Sequence, residues 1–259
     1  MSVQLRALVQ SNDLLRAWTA RTIRARYQQS ALGWFWALIQ PAATVFIFSI
    51  IFTRFVPVDT GGIPYPVFSY VAVVPWTFLA SSLSDMTTSL VVNMSLVTKI
   101  YFPREVLPLS AMLARFMDFG IASGLVVLLI VVFSVPAYIG WLFLPVILAI
   151  QIVLIVGVGL LLAALNVFFR DVQSILALGL QLWFYASPII YPVSMVPEPL
   201  RPIYFLNPMA GILEAYRSVL LFQRLPGPSL AVAGVISFVL LAIGYWYFKR
   251  VEFKFADII

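Results

Sequence analysis

Gln40, Thr44 and Phe48 follow one another at intervals of four, and Ser174, Gln181 and Tyr185 at intervals of seven and four. On an α-helix such spacings stack side chains on one face. Each set therefore presents an amide, a hydroxyl and an aromatic ring along one side of an otherwise apolar helix. Pro188 extends the second face, with Ala177 and Leu178 filling its gaps. Ile47 and Ile51 flank the first. Trp183 and Phe184 point about 100° apart along the same helix, so they face lipid or a neighbouring helix instead. Polar groups in hydrocarbon are costly unless they face protein or water. Two readings follow. The amides and hydroxyls bond across helices as structural glue, or the two faces line a shared lumen that is mildly polar, aromatic and nearly uncharged. Such a lumen suits carbohydrate, whose C–H faces pack on rings while its hydroxyls bond amides at modest strength. An ion path would show charge rings or carbonyl filters instead.

Other chemistry is excluded by what is missing. The chain has 259 residues with no histidine and no cysteine. Imidazole acid–base catalysis, thiolate nucleophiles, disulfides and zinc–thiolate sites are therefore absent. No Gly-Lys-Ser or Gly-Lys-Thr occurs, so a nucleotide phosphate has no P-loop to hold it, and any ATP and Mg belong to another chain. The carboxylates in or near apolar runs, Asp85, Asp118 and Asp171, are far apart in sequence and suggest no acid–base pair. We expect no catalytic residue and no metal site. Arg115 and Asp118, three apart, suit a helical ion pair, with a proton relay at Asp118 as the alternative.

The elements that must position these faces span a membrane. The chain is 63% hydrophobic and only 10% charged, with a mean hydropathy of +1.03. Soluble domains carry about 25% charged residues. About 20 apolar residues cross about 30 Å of hydrocarbon, and the charge-poor runs predict six spans at 34–56, 67–90, 109–133, 142–167, 172–191 and 229–248. The net charge of +6 is a matter of topology rather than of nucleic acid. With both termini cytoplasmic, twelve of the lysines and arginines fall inside and four outside, namely Arg54, Arg201, Arg217 and Arg224. The positive-inside rule selects that orientation. Five arginines precede a first apolar run too long for a signal peptide.

Three connecting regions carry information. Residues 11–28 form an amphipathic helix with Leu14, Leu15, Trp18, Thr22 and Ala25 on one face and Arg16 and Arg24 opposite. It suits either a membrane surface or a soluble partner. The loop 93–108 sets Ile100, Tyr101 and Phe102 beside Lys99, Arg104 and Glu105, which reads as a docking surface or as interface anchoring. Segment 192–228 brackets a short apolar helix, 211–222, with prolines, and suggests a re-entrant element. On that helix Glu214 and Arg217 can pair.

Several strings together resemble a known family. "RARYQQSALGWFWALIQP" at 24–41, "KIYFPREVLPL" at 99–109, "LNVFFRDV" at 165–172, and "SPIIYP", "NPM" and "YR" at 187–217 resemble the membrane permease of bacterial ABC transporters that export polysaccharides, the O-antigen, capsule and teichoic-acid exporters. The resemblance implies an all-α integral membrane protein forming a single transmembrane domain over 1–259. It implies six transmembrane helices, an N-terminal amphipathic interface helix, and short re-entrant outer helices between spans five and six. It implies a homodimer around a central channel lined by spans one and five, working with two copies of a separate ABC ATPase. Lys99, Ile100, Tyr101, Phe102, Pro103, Arg104 and Glu105 would carry the coupling segment into the ATPase. The substrate would be a lipid-linked polysaccharide of the O-antigen type, crossing a bacterial inner membrane. Its pyrophosphate would call for cations at the inner mouth, and Arg24, Arg26 and Arg170 suit that role by sign and side. Two other functions fit less well: a related permease for drugs or small amphiphiles, and a membrane-embedded glycosyl- or acyltransferase. The first would bind apolar compounds, and the second needs an acid–base pair that the sequence does not display.

Overall fold

A computed structural model describes residues 12–28, 30–99 and 102–256, and their regular structure is all helical. Helix α1 is Asn12–Tyr27. Helix α2, Trp36–Ile50, follows a 3-10 turn at Gly33–Phe35 and runs on through a π-helical turn at Ile51–Phe55. Then come α3 (Tyr65–Val92), α4 (Met94–Lys99), α5 (Val106–Val132) and α6 (Leu144–Phe168), the last led in by a 3-10 turn at Ile139–Phe143. Helix α7 is Val172–Tyr185, α8 Arg201–Tyr204, α9 Pro208–Leu220 and α10 Pro228–Val251, extended by a 3-10 turn at Glu252–Ala256.

Among the described residues, five segments are long and apolar enough to cross a membrane: Gly33–Phe55, Tyr65–Val92, Val106–Val132, Ile139–Phe168 and Pro228–Phe255. The expected span at 172–191 differs. Its helix stops at Tyr185, and 14 residues reach about 21 Å at 1.5 Å per residue. Residues 187–190 beyond it are buried but not helical, because Pro188 interrupts the backbone ladder.

Helix α3 is the central post. It packs against α2, α5, α6, α7 and α9 and is buried over most of its length. Its buried hydroxyls turn back on the helix: Ser69 donates to Tyr65 O (2.9 Å) and Thr87 to Leu83 O (2.6 Å). Pro75 sits mid-helix, and the Gln151 amide of α6 donates to its carbonyl at 2.8 Å. Tyr216 of α9 in turn donates to Gln151 Oε1 (3.0 Å), and Asn166 reaches Thr87 O (2.9 Å). Without a hydrophobic force between helices in lipid, such bonds and close packing hold the bundle. Helices α6 and α10 approach backbone to backbone at Gly157 and Gly244. A Cβ on Gly244 would lie 2.0 Å from the Gly157 carbonyl oxygen.

Helix α1 packs along α5 with Leu14, Leu15, Trp18, Thr22 and Arg26 half-buried. Ala25, expected on that face, is exposed, and Arg26 takes the inward position. Hydropathy thus sets four of the five expected positions, and an ion pair draws Arg26 inward in place of Ala25. Arg16, Arg21 and Arg24 face out, with the Arg21 guanidinium 4.4 Å above the Trp18 ring.

Candidate functional site

Helix α7 has two distinct sides. Val172, Leu176, Leu180, Trp183 and Phe184 turn toward the bundle, where Trp76 meets Trp183 and Phe184 edge to face at 5.8 and 5.7 Å. Ser174, Gln181 and Tyr185 lie on the open side, with Tyr185 56% exposed. On α2, Gln40 is exposed, and half-buried Thr44 donates to the Gln40 carbonyl at 3.1 Å. Phe48 stacks on Phe184, with centroids 6.0 Å apart, and so joins α2 to α7. Pro188, expected on the open face of the fifth helix, is buried.

Beyond Tyr185 the chain runs through a buried, non-helical turn whose carbonyls cannot bond in a helix. Side chains satisfy them. Arg217, fully buried, donates from Nη1 to Pro188 O and to Tyr191 O (3.2 Å), from Nη2 to Ile189 O (2.7 Å), and from Nε to Phe68 O (3.3 Å). Its guanidinium carbon lies 3.6 Å from the centroid of the Phe68 ring. Tyr65 donates to Ile190 O (2.8 Å) and Tyr191 to Tyr185 O (3.0 Å). Asn207 donates to Ala186 O (3.1 Å) and to the Ser187 hydroxyl (2.9 Å). The Asn207 oxygen accepts from Trp183 Nε1 (2.7 Å) and from the Met209 amide (3.0 Å), which makes it the N-cap of α9. Pro208 follows at the first helical position, where no amide is needed. The guanidinium thus engages four carbonyls, and the three-residue spacing to Glu214 serves no ion pair.

Near the other end of α3 the chemistry changes. Arg26 of α1 bonds Asp85 of α3 (2.6 Å) and Asp118 of α5 (2.8 Å). Arg115 of α5 bonds both oxygens of Asp85 (2.7 and 3.1 Å) and Asp118 at 3.3 Å. Two guanidiniums and two carboxylates make a neutral square binding three helices. Tyr27 donates to Asp118 as well. Burial, and then that bond, push the Tyr27 hydroxyl up to about 12, so it remains a donor at physiological pH. Asp85 and Asp118, far apart in sequence, meet here, but each is held by guanidiniums. Their geometry is that of an anchor rather than of an acid–base pair.

The structure revises two expectations. Arg26 is engaged by carboxylates, which leaves Arg24 on the outer face of α1 and Arg170 beside Asp171 in the α6–α7 turn as the exposed cations of that set. Glu105, expected on a docking surface, is 1% exposed and pairs with Lys249 of α10 at 2.7 Å. Lys249 also meets Glu252 at 3.1 Å. A buried carboxylate needs a partner close by, and the end of α10 supplies it. The loop 93–108 contains α4. Phe102 packs against a small core that includes Leu90, Val97, Leu107, Phe248 and Phe255, and Arg104 lies over the Phe255 ring at 5.8 Å. Pro103 is half-buried. Ile100, Tyr101 and the Lys99 side chain lie outside the described residues. Sequence reasoning missed Tyr65, Asn207 and Arg217 as one unit. The available signal was an arginine inside an apolar helix, close in the chain to an apolar run broken by prolines.

Comparison of the sequence with known proteins points to one group. A family model described as ABC-2 type transporter matches residues 13–221. The O-antigen export system permease protein RfbA of Myxococcus xanthus is 33% identical over 259 residues, 98% of each chain. A protein of the same name from Klebsiella pneumoniae is 29% identical over 248 residues, 95% of each chain. The polysialic acid transport protein KpsM of Escherichia coli is 25% identical over 239 residues, 90% of this chain and 91% of its own.

Proposed function

The chain belongs to the ABC-2 type transporter family, and on that premise we propose that it is the transmembrane subunit of an ATP-driven exporter of lipid-linked polysaccharide of the O-antigen type. The observation that carries this reading is similarity over nearly the whole chain to permeases named for O-antigen export. The subunit is multi-pass in the bacterial inner membrane. ATP and Mg are bound by a separate ATPase chain, of which two copies serve a homodimer of this one.

In this reading α7 and the turn after it make a sixth crossing, which sets both termini on the cytoplasmic side. Support comes from the two ends of that segment. Asn166, just before it, bonds Thr87 near the end of α3, and Ile190, just after it, bonds Tyr65 at the start of α3. The segment therefore covers much of the thickness that α3 covers. The open side of α7, with Ser174, Gln181 and Tyr185, faces the channel between the two copies, and Gln40 and Thr44 of α2 face it from the side. Helix α9 is the re-entrant element on the outer side. Helix α4, Phe102, Pro103 and Arg104 make the ATPase-facing surface. The square of Arg26, Asp85, Arg115 and Asp118 ties α1 to that surface through α3 and α5. Arg24 and Arg170 remain for the pyrophosphate of the lipid carrier.

Deletion of the gene in its native bacterium tests the function, with surface and cytosolic glycan stained separately. Export predicts loss of surface polysaccharide with lipid-linked polymer retained inside. An unchanged surface with new drug sensitivity would favour a drug permease.

A further inference from the structure

Residues 102–105 lead into α5 along the chain, yet their side chains are held from elsewhere. Glu105 stands at the N-cap position of α5 and makes no side-chain capping bond there. Its carboxylate lies instead 2.7 Å from Lys249 of α10 and is 1% exposed. Arg104 sits over the Phe255 ring, and Phe102 packs on the small core to which Phe248 and Phe255 belong. Three of these four residues therefore find their partners at one place, the last turns of α10. That place is firmly built. Phe255 is fully buried and meets Phe248 and Phe168 edge to face, at 5.6 and 6.0 Å. Glu252 also holds the Lys249 ammonium, at 3.1 Å.

We propose, resting on the exporter reading above, that Lys249 and Phe255 are positioning residues for the ATPase contact: they hold Phe102–Glu105 in the register in which the ATPase meets it. Stability alone does not call for the ion pair. Taking an ammonium and a carboxylate out of water costs about what their attraction returns, and an apolar pair of similar volume would pack as well. What the pair adds is a defined position. Rings in an apolar core slip past one another at small cost, whereas an ammonium shared by two carboxylates has one best place. A surface that another subunit pushes against also needs a stiff backing. Helix α10 supplies it, because at Gly244 its backbone lies against that of α6, and Phe168 of α6 packs on Phe255. By chain order the segment belongs to α4 and α5, but by contact it is mounted on α10.

The test uses inside-out membrane vesicles of the native bacterium, which carry the whole complex and its own lipid-linked polysaccharide, with ATP added outside. It reads the polysaccharide protected in the lumen per phosphate released above the level of a gene-deletion strain. Lys249→Met keeps most of the stem and removes the charge. A stranded buried carboxylate depopulates the docked register, so this ratio should fall at least about tenfold while the ATPase subunit stays bound. Glu105→Lys combined with Lys249→Glu again sets one ammonium between two carboxylates, and should bring the ratio back to within about twofold. Phe255→Leu is the milder variant should Lys249→Met fail to accumulate, and it should lower the ratio about threefold through loss of its ring contacts. Leu160→Ala thins the same core from the α6 side, and should reduce the amount of complex without changing the ratio. An unchanged ratio in Lys249→Met, or in Phe255→Leu where the first does not accumulate, would overturn the positioning role. An equal fall in Leu160→Ala would overturn it too. Failure of the exporter reading looks different: wild-type vesicles would release phosphate no faster than deletion vesicles, or would take up no polysaccharide.

Discussion

Arginine secures α3 toward both its ends, and it does so in two different ways. At the Tyr65 end Arg217 is fully buried and bonds four backbone carbonyls, with no carboxylate among those contacts. Toward the Val92 end Arg26 and Arg115 are only partly covered and face Asp85 and Asp118. The first arrangement solves a backbone problem. A turn buried in an apolar setting has carbonyls that no water reaches, and one planar fork of five donors serves several of them. The second solves a docking problem. It joins three helices at a partly wet site, where opposite charges neutralise one another and water screens what remains. A buried guanidinium among dipoles thus serves the backbone, whereas the square of charges, 15–28% exposed, is a joint between helices.

That contrast can be broken by mutation. The largest effect belongs to Arg217→Leu. It strands the carbonyls of Phe68, Pro188, Ile189 and Tyr191, and we expect a loss of at least about 3–5 kcal/mol, comparable to breaking a buried charged network. The yield of monodisperse protein in detergent would show it. Arg217→Lys should rescue little, because a single ammonium cannot replace the planar fork. Asn207→Ala comes next. It removes the N-cap of α9 and the partners of Trp183 and Ser187, for about 2–3 kcal/mol, read as a fall in the thermal unfolding midpoint. Asp85→Asn should cost less, about 1 kcal/mol, and its effect should shrink as salt rises. A salt-independent effect there, or a salt-dependent one at Arg217, would erase the distinction between the two ends. The smallest stability effect is expected at Gln181→Trp, within about 0.5 kcal/mol because the position is open. Export should nevertheless slow, and an unchanged rate would remove Gln181 from the path.

Much of this was legible in the sequence. Hydropathy located five crossing segments because each is a long apolar run between charges. Helical spacing separated Gln181 and Tyr185 from Trp183 and Phe184 correctly, since a regular helix keeps its phase. The end of α7 was only half legible. Pro188 announces a break, but that the broken backbone stays buried depends on Arg217, 29 residues away in the chain. The helical spacing of Glu214 and Arg217 pointed to a local pair, and a long-range demand for donors won instead. Glu105 and Arg26 misled in the same manner. Each looks like a surface charge until a partner on another helix, Lys249 or Asp85, draws it in. Pairing between distant charges leaves no periodic trace in one sequence.

The contact between Gly157 and Gly244 bears on how such a molecule can work. Two helix backbones that touch with no side chain between them have nothing compressible to slide on, and any larger residue at Gly244 would collide with main chain. Helices α6 and α10 therefore behave as one stator, a single stiff beam. Helices α2 and α7 bury far less of themselves against the rest. In the proposed homodimer those two helices border the channel, and the fused pair of α6 and α10 is the frame they sit against.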